Sequence, residues 1–316
     1  MANQGVVKSA AMGAPKPVSR RGRKQRGAVR WLVLALMLAL LALTLFPFVL
    51  ALINAVKTGP DYAANGPLSI PTSIQFDALA KFWDMADYSR KLLNSTLISA
   101  GVSVLAVLLS LLSAYALGIG KVRGSSFILA MLLLGTMVPQ ESIVYPIYYM
   151  AKAVGLYDTQ LAVIIVIAVL QSAFGTYLLA SVMSTFPREI LEAAEIDGAS
   201  RWEILINVVV PIMRPTLMVL GTFFFIWTWN EFLIPVVMLV SNDNQTVSVA
   251  MGLTRGQNLS DPILQAAASL LGIAPTVIFF LIFQRTLTRG VAAGQKNTFN
   301  TEVKIRWSIF AMTHLA

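Results

Sequence analysis

The sequence predicts an all-α protein that crosses a membrane six times. Three observations carry this reading. Of its 316 residues, 57% are hydrophobic and only 12% charged, whereas a soluble domain carries about a quarter charged residues. Six apolar stretches are long enough to cross a hydrocarbon core of about 30 Å at about 1.5 Å per helical residue. Lys and Arg gather on alternate connecting segments. The mean hydropathy of +0.72 agrees with a polytopic protein and excludes an ordinary soluble enzyme. There is no cysteine, so disulfide scaffolds and thiolate metal sites are excluded. The single histidine, His314, leaves no basis for a histidine metal site or a Ser-His-Asp triad.

Residues 1–30 form a basic tail with eight Lys and Arg and no acid. A topogenic role beside anionic lipid accounts for it, and the interleaved aromatics expected of a nucleic-acid arm are missing, so no nucleic-acid partner is expected. The spans are expected at about 31–56, 93–117, 127–149, 160–182, 217–240 and 263–283. The first is too long for a signal-peptide core of about 7–15 residues. Within all six stretches, Glu141 and Glu231 are the sole ionisable Asp, Glu, Lys or Arg residues. Placing the tail, the 121–123 loop, the 184–215 segment and the C-terminal segment on one side assigns 18 of the 24 Lys and Arg to it. The positive-inside rule then puts both termini in the cytoplasm of a multi-pass protein of the cell membrane.

On the other side, Lys57 to Lys91 is the longest loop. Pro60, Gly66, Pro67 and Pro71 break its first half. Phe76, Leu79, Phe82, Trp83 and Met85 then recur at helical spacing, as in an amphipathic interfacial helix or a lid that seals the bundle.

The cytoplasmic stretch Ser184 to Pro215 is too long for a tight helix–helix connection. Pro187 suits a first helical turn, and Arg188 to Ile196 are good helix formers. Asp197-Gly198 reads as a stop. Ser200-Arg201-Trp202-Glu203 reads as a capping box opening a second helix. Pro211 and Pro215 are expected to bend or end that helix before the fifth span. The result is an elbow of small residues, Ala193, Ala194, Gly198 and Ala199, edged by Glu192, Glu195 and Asp197. Such a knob suits close docking against a partner, although an ordinary amphipathic surface helix has the same composition. Five of the 15 acids lie in this segment. Acid/base catalysis is not expected on an elbow without a pocket.

Here the residues resemble a known family. Glu192-Ala193-Ala194, Gly198 six positions after Glu192, and Val210-Pro211 nineteen after it are similar to the EAA signature of ABC importer permeases. Val210 stands where Leu is usual, and Val208 where Ile is usual. Leu92-Leu93-Asn94-Ser95, Met137-Val138-Pro139 with Ile143 and Pro146, Gly155 to Thr159, Trp229-Asn230-Glu231-Phe232, and Arg289-Gly290 with Ala293-Gly294 resemble the carbohydrate, maltose-type subgroup. The resemblance covers roughly 28–296 and sets the permease domain at 31–296. Residues 297–316 form an atypical C-terminal tail with no counterpart in the family.

The resemblance implies a type I ABC importer permease fold and a role as the permease subunit for a sugar or oligosaccharide. It implies that Glu192, Ala193, Ala194, Asp197, Gly198, Ala199 and Pro211 belong to a coupling segment that docks on a separate ATP-binding subunit. ATP and Mg would lie on that partner, with no cofactor or metal in this chain, and hydrolysis would be the partner's reaction. The lack of a Gly-x-x-x-x-Gly-Lys-Ser/Thr run agrees with this. A second permease subunit, an extracytoplasmic solute-binding protein and the bilayer are the other implied partners.

An acid inside a membrane span costs about 2.5–3.5 kcal/mol on insertion scales, so Glu231 is a functional candidate. Asn230, Glu231 and Trp227 could contact solute, or serve as helix–helix glue. Gln140 and Glu141 follow Pro139, where a broken helix could line the pathway. Two other functions fit the same residues. One is an importer permease for a polyamine or glycerol phosphate; the other is a stand-alone secondary transporter, which would call for internal repeats.

Overall fold

The computed structural model describes residues 25–120, 122–257 and 261–284, and among them every regular element is helical. The basic tail call for 1–30 falls mostly outside the described residues, and the 297–316 tail falls wholly outside them.

The chain divides into two units, 1–50 and 51–316. The first contains most of α1 (Gln25–Ala55), in which residues 31–49 are almost wholly apolar and exposed on all sides. A helix without a polar face is what hydrocarbon requires.

The second unit holds α2 (Gly59–Asn65), α3 (Asp77–Met85), α4 (Tyr88–Ala114), α5 (Ser125–Gly135), α6 (Gln140–Ala153), α7 (Gln160–Met183), α8 (Arg188–Ile196), α9 (Arg201–Ile204), α10 (Val210–Trp229), α11 (Leu233–Met238), α12 (Val247–Gln257) and α13 (Pro262–Gln284). Helix α4 runs on to Ile119 through a wide π turn. Long, apolar helices cover Val29–Ala55, Tyr88–Ile119, Gln160–Met183, Arg201–Trp229 and Pro262–Gln284. The third expected span is a pair, α5 and α6, bent by 94°.

That bend is a departure from the single stretch 127–149. Pro139 lacks an N–H and adopts an extended conformation (ψ 133°), so the helix ends at Thr136 and restarts at Gln140. The fifth span departs as well. It begins at Arg201 rather than 217 and ends at Trp229 rather than 240. Pro211 does not end the second elbow helix. A π turn at Leu205–Val209, in which the Val210 N–H donates to the Leu205 carbonyl, widens the helix just before the proline ring. In the 57–91 loop, Pro60 starts a short helix instead of breaking one: Thr58 caps the Asp61 N–H of α2.

The core is the packing of α4, α7 and α10. Gly175 of α7 marks the closest approach, because a Cβ there would lie 2.2 Å from Ser110 Oγ and 2.8 Å from Phe224. Small residues at such crossings let backbones approach where no hydrophobic drive separates helix from lipid. Ser103 donates to the Gly221 carbonyl across α4 and α10 (2.7 Å), and Ser110 to the Ser172 carbonyl across α4 and α7 (3.3 Å). A second cluster, Phe82, Tyr88, Trp229, Val247, Leu264 and Ala268, joins α3, α12 and α13 to the ends of α4 and α10. Tyr88 closes it by donating to the Leu271 carbonyl at 2.6 Å.

Candidate functional site

Two features stand out at different levels of α4: an elbow near its C-terminal end and a cavity beside the middle helices.

The elbow is built locally. Gly198 adopts φ +82°, and the N–H groups of Gly198 and Ala199 donate back to the carbonyls of Glu195 and Ala194. This is a Schellman stop, in which glycine takes the left-handed position that an L side chain disfavours. Ser200 then caps the Glu203 N–H while the Glu203 carboxylate accepts from the Ser200 N–H at 2.7 Å, a reciprocal capping box. Ala194 and Ala199 pack against the core, whereas Glu192, Ala193, Asp197 and Gly198 are exposed, as is Pro211. No atom lies within 4 Å of a Cβ placed on Gly198. Ile196 and Trp202 are 86% and 63% exposed beside them, so the elbow ends in an unburied apolar surface. Tyr115 at the end of α4 donates to the Arg201 carbonyl at 3.1 Å and ties the elbow to the core.

The cavity measures about 530 Å³, on the size scale of small-ligand sites. It lies where two helices are interrupted. One interruption is the Thr136–Pro139 break between α5 and α6. The other is Asn230–Phe232, between α10 and α11. Its wall includes Thr136, Gln140, Gln171, Ser172, Thr176, Phe174, Trp227 and Glu231. Trp227 meets Phe174 edge to face, with ring centres 6.3 Å apart. The Glu231 carboxylate accepts from the N–H groups of Leu233 and Ile234 at 3.0 and 3.4 Å, so it caps α11 at the break. Its carbonyl accepts from the Ser248 hydroxyl at 2.7 Å. Among the described lining residues Glu231 is the one ionisable Asp, Glu, Lys or Arg. The wall is otherwise apolar with neutral hydrogen-bonding groups.

The structure thus brings Gln140, Trp227 and Glu231 to one cavity. Asn230 and Glu141 stand outside its lining: both are exposed, and the Asn230 amide donates to the Ile226 carbonyl at 2.7 Å. Sequence reasoning missed Gln171, Ser172 and Thr136. Gln171 is 7% exposed and donates to the Thr228 hydroxyl at 3.0 Å. The available signal was a glutamine within an apolar run.

At the N-terminal end of α4 a polar clasp holds the segment after α11. Asp158, at φ +62°, accepts from the N–H groups of Val240 and Ser241 at 2.9 and 3.0 Å and from the Ser241 hydroxyl. Burial pushes its carboxyl up, but these bonds from Ser241 and Val240, with Asn244, outweigh it and hold the group below the usual aspartate range. Arg90 pairs with Asp243 at 2.6 Å, and the buried Lys91 donates to the Asn242 carbonyl and side chain.

Residues 19–293 match the family described as binding-protein-dependent transport system inner membrane component. The melibiose/raffinose/stachyose import permease protein of Bacillus subtilis strain 168 is 26% identical over 264 residues, 83% of this chain and 95% of that protein. An inner membrane ABC transporter permease protein of Escherichia coli K12 is 31% identical over 261 residues, covering 80% and 91%. The fold is also similar to a chain of a bacterial ABC transporter involved in the import of the acidic polysaccharide alginate. The TM-score there is 0.70 at 20% identity, covering 85% of this chain and 99% of the other.

Proposed function

The chain belongs to the family of binding-protein-dependent transport system inner membrane components, and from that premise we propose that it forms part of the transmembrane path of an ABC importer for a sugar or oligosaccharide. The observation that carries this reading is the cavity at the two helix interruptions. Broken helices with free backbone groups are where membrane transporters hold solute. An indole, a neutral amide and hydroxyls suit a sugar, which presents C–H faces and many hydroxyls. With Glu231 as the lone charge among its described lining residues, the wall supplies no cation for a glycerol phosphate and one carboxylate for a polyamine. The polysaccharide and oligosaccharide importers among its relatives support the same class.

In this proposal the protein is a transporter subunit, and ATP and Mg are bound and used on a separate ATPase chain. The elbow of α8 and α9, with Glu192, Ala193, Ala194, Asp197, Gly198, Ala199 and Pro211, docks on that chain. Because α9 continues through the π turn into α10, displacement of the elbow moves the wall of the cavity with it. A second permease completes the path, and an extracytoplasmic binding protein delivers the solute to the end of α4 that carries the Asp158 clasp. The Lys and Arg bias supports a cytoplasmic position for the elbow and both termini.

The test is uptake of labelled melibiose, lactose and trehalose by proteoliposomes holding the co-expressed ATPase, second permease and binding protein. Uptake of at least one sugar should require ATP and survive an ionophore that collapses ion gradients. Uptake that persists without ATP and stops with the ionophore would assign the chain to ion-coupled transport.

A further inference from the structure

We infer that Gln171 is a solute-contacting residue that selects for one hydroxyl of the transported sugar; this rests on the sugar reading of the cavity. Gln171 is buried, yet its side-chain oxygen has no hydrogen-bond partner. Its nitrogen is held by Thr228, itself buried in the last turn of α10 before the break at Asn230. Rotating the amide by 180° changes nothing essential. Thr228 would then donate to the oxygen, and the NH₂ group would be left over. In either orientation the amide keeps unused hydrogen-bonding capacity at the wall of the cavity.

A glutamine retained only to join two helices would be expected to use both ends of its amide, since a buried polar group without a partner is destabilising. The local backbone fixes where this amide sits. One turn along α7, a Cβ on Gly175 would lie 2.2 Å from Ser110 Oγ and 2.8 Å from Phe224, so α7 packs closely against α4 and α10 there. Trp227 lines the same wall one residue before Thr228. A sugar ring against Trp227 would bring a hydroxyl within reach of the amide, and a hydroxyl both donates and accepts, so it satisfies either orientation. A site that hydrogen-bonds a hydroxyl discriminates against the analogue lacking it.

The experiment uses the complete importer in proteoliposomes. Of melibiose, lactose and trehalose, the sugar taken up fastest by the wild type is compared with each of its monodeoxy derivatives, for the wild type and for Gln171→Met. Each substrate is supplied on saturating binding protein. The binding protein's own preference is the same in both arms and cancels in the comparison. The inference expects one derivative to be disfavoured by the wild type about tenfold more than by Gln171→Met, the size of one hydrogen bond. The other derivatives should be unaffected by the substitution. Gln171→Leu should behave like Gln171→Met, which guards against a packing fault peculiar to one side chain. Equal discrimination by wild type and variants overturns the inference and leaves the sugar reading intact. Failure of both variants to assemble assigns Gln171 to helix packing and overturns it too. A wild type that takes up none of the three sugars overturns the sugar reading, and the inference with it.

Discussion

At the residue scale, Gly198 separates two requirements that one residue meets together. Its φ of +82° disfavours any side chain, and the space around its Cα is open. An alanine there costs about 1–2 kcal/mol of backbone strain, while asparagine tolerates the left-handed conformation better. Gly198→Asn therefore keeps the Schellman turn and adds bulk to the proposed docking face. We expect it to abolish ATP-driven uptake while membrane insertion, checked by detergent-extracted yield, stays normal. Uptake at the wild-type rate by Gly198→Asn would show that only the backbone conformation matters there. The Asp-Gly stop and the Ser200–Glu203 capping box were legible because both are local: their signals lie within four residues. Gln171 was not, because its partner Thr228 is 57 residues away and only the packing of α7 on α10 joins them. Glu231 was legible as unusual, but its work as the cap of α11 depends on a break that sequence reading placed inside a span.

At the scale of elements, the departures share one cause. Proline marks where a helix is perturbed, but whether it ends, bends or widens there depends on what surrounds it. Pro139 ends α5 and turns the chain by 94°, Pro60 opens α2, and Pro211 is absorbed by a π turn. The clasp around Asp158 is a further element-level device, since it fixes the α6–α7 turn to the segment after α11. A carboxyl whose folded pKa is depressed contributes stability above its unfolded value of about 3.9, and that contribution is lost as pH falls through the folded value. Asp61, held low by the Asn65 amide and the Thr72 N–H, adds to the same trend. Limited proteolysis of proteoliposomes between pH 7 and pH 3 should therefore cleave the 238–247 segment faster below about pH 4. Asp158→Asn should raise cleavage at pH 7 and flatten the pH dependence. Unchanged cleavage in that variant would mean that the clasp does not hold the segment.

At the scale of the whole molecule, composition and the alternation of charged segments foretold the fold class, because a bilayer imposes its demands on every span independently. What composition could not foretell was the cavity. It exists where interruptions from the third and fifth expected spans meet, and that meeting is a property of the packed second unit. The same packing joins the elbow to the cavity wall, since α9, the π turn and α10 form one continuous helix from Arg201 to Trp229. In the proposed complex this chain meets its ATPase at the elbow. The chain contains no cysteine, so Ala193→Cys creates a single reactive thiol on the exposed face of α8. With a thiol-anchored photo-crosslinker on that residue in the assembled importer, an adduct with the ATP-binding subunit is expected, and none when the same reagent sits on Gly66→Cys. An adduct with the ATPase from position 66, or its absence from position 193 in a complex that transports, would contradict it.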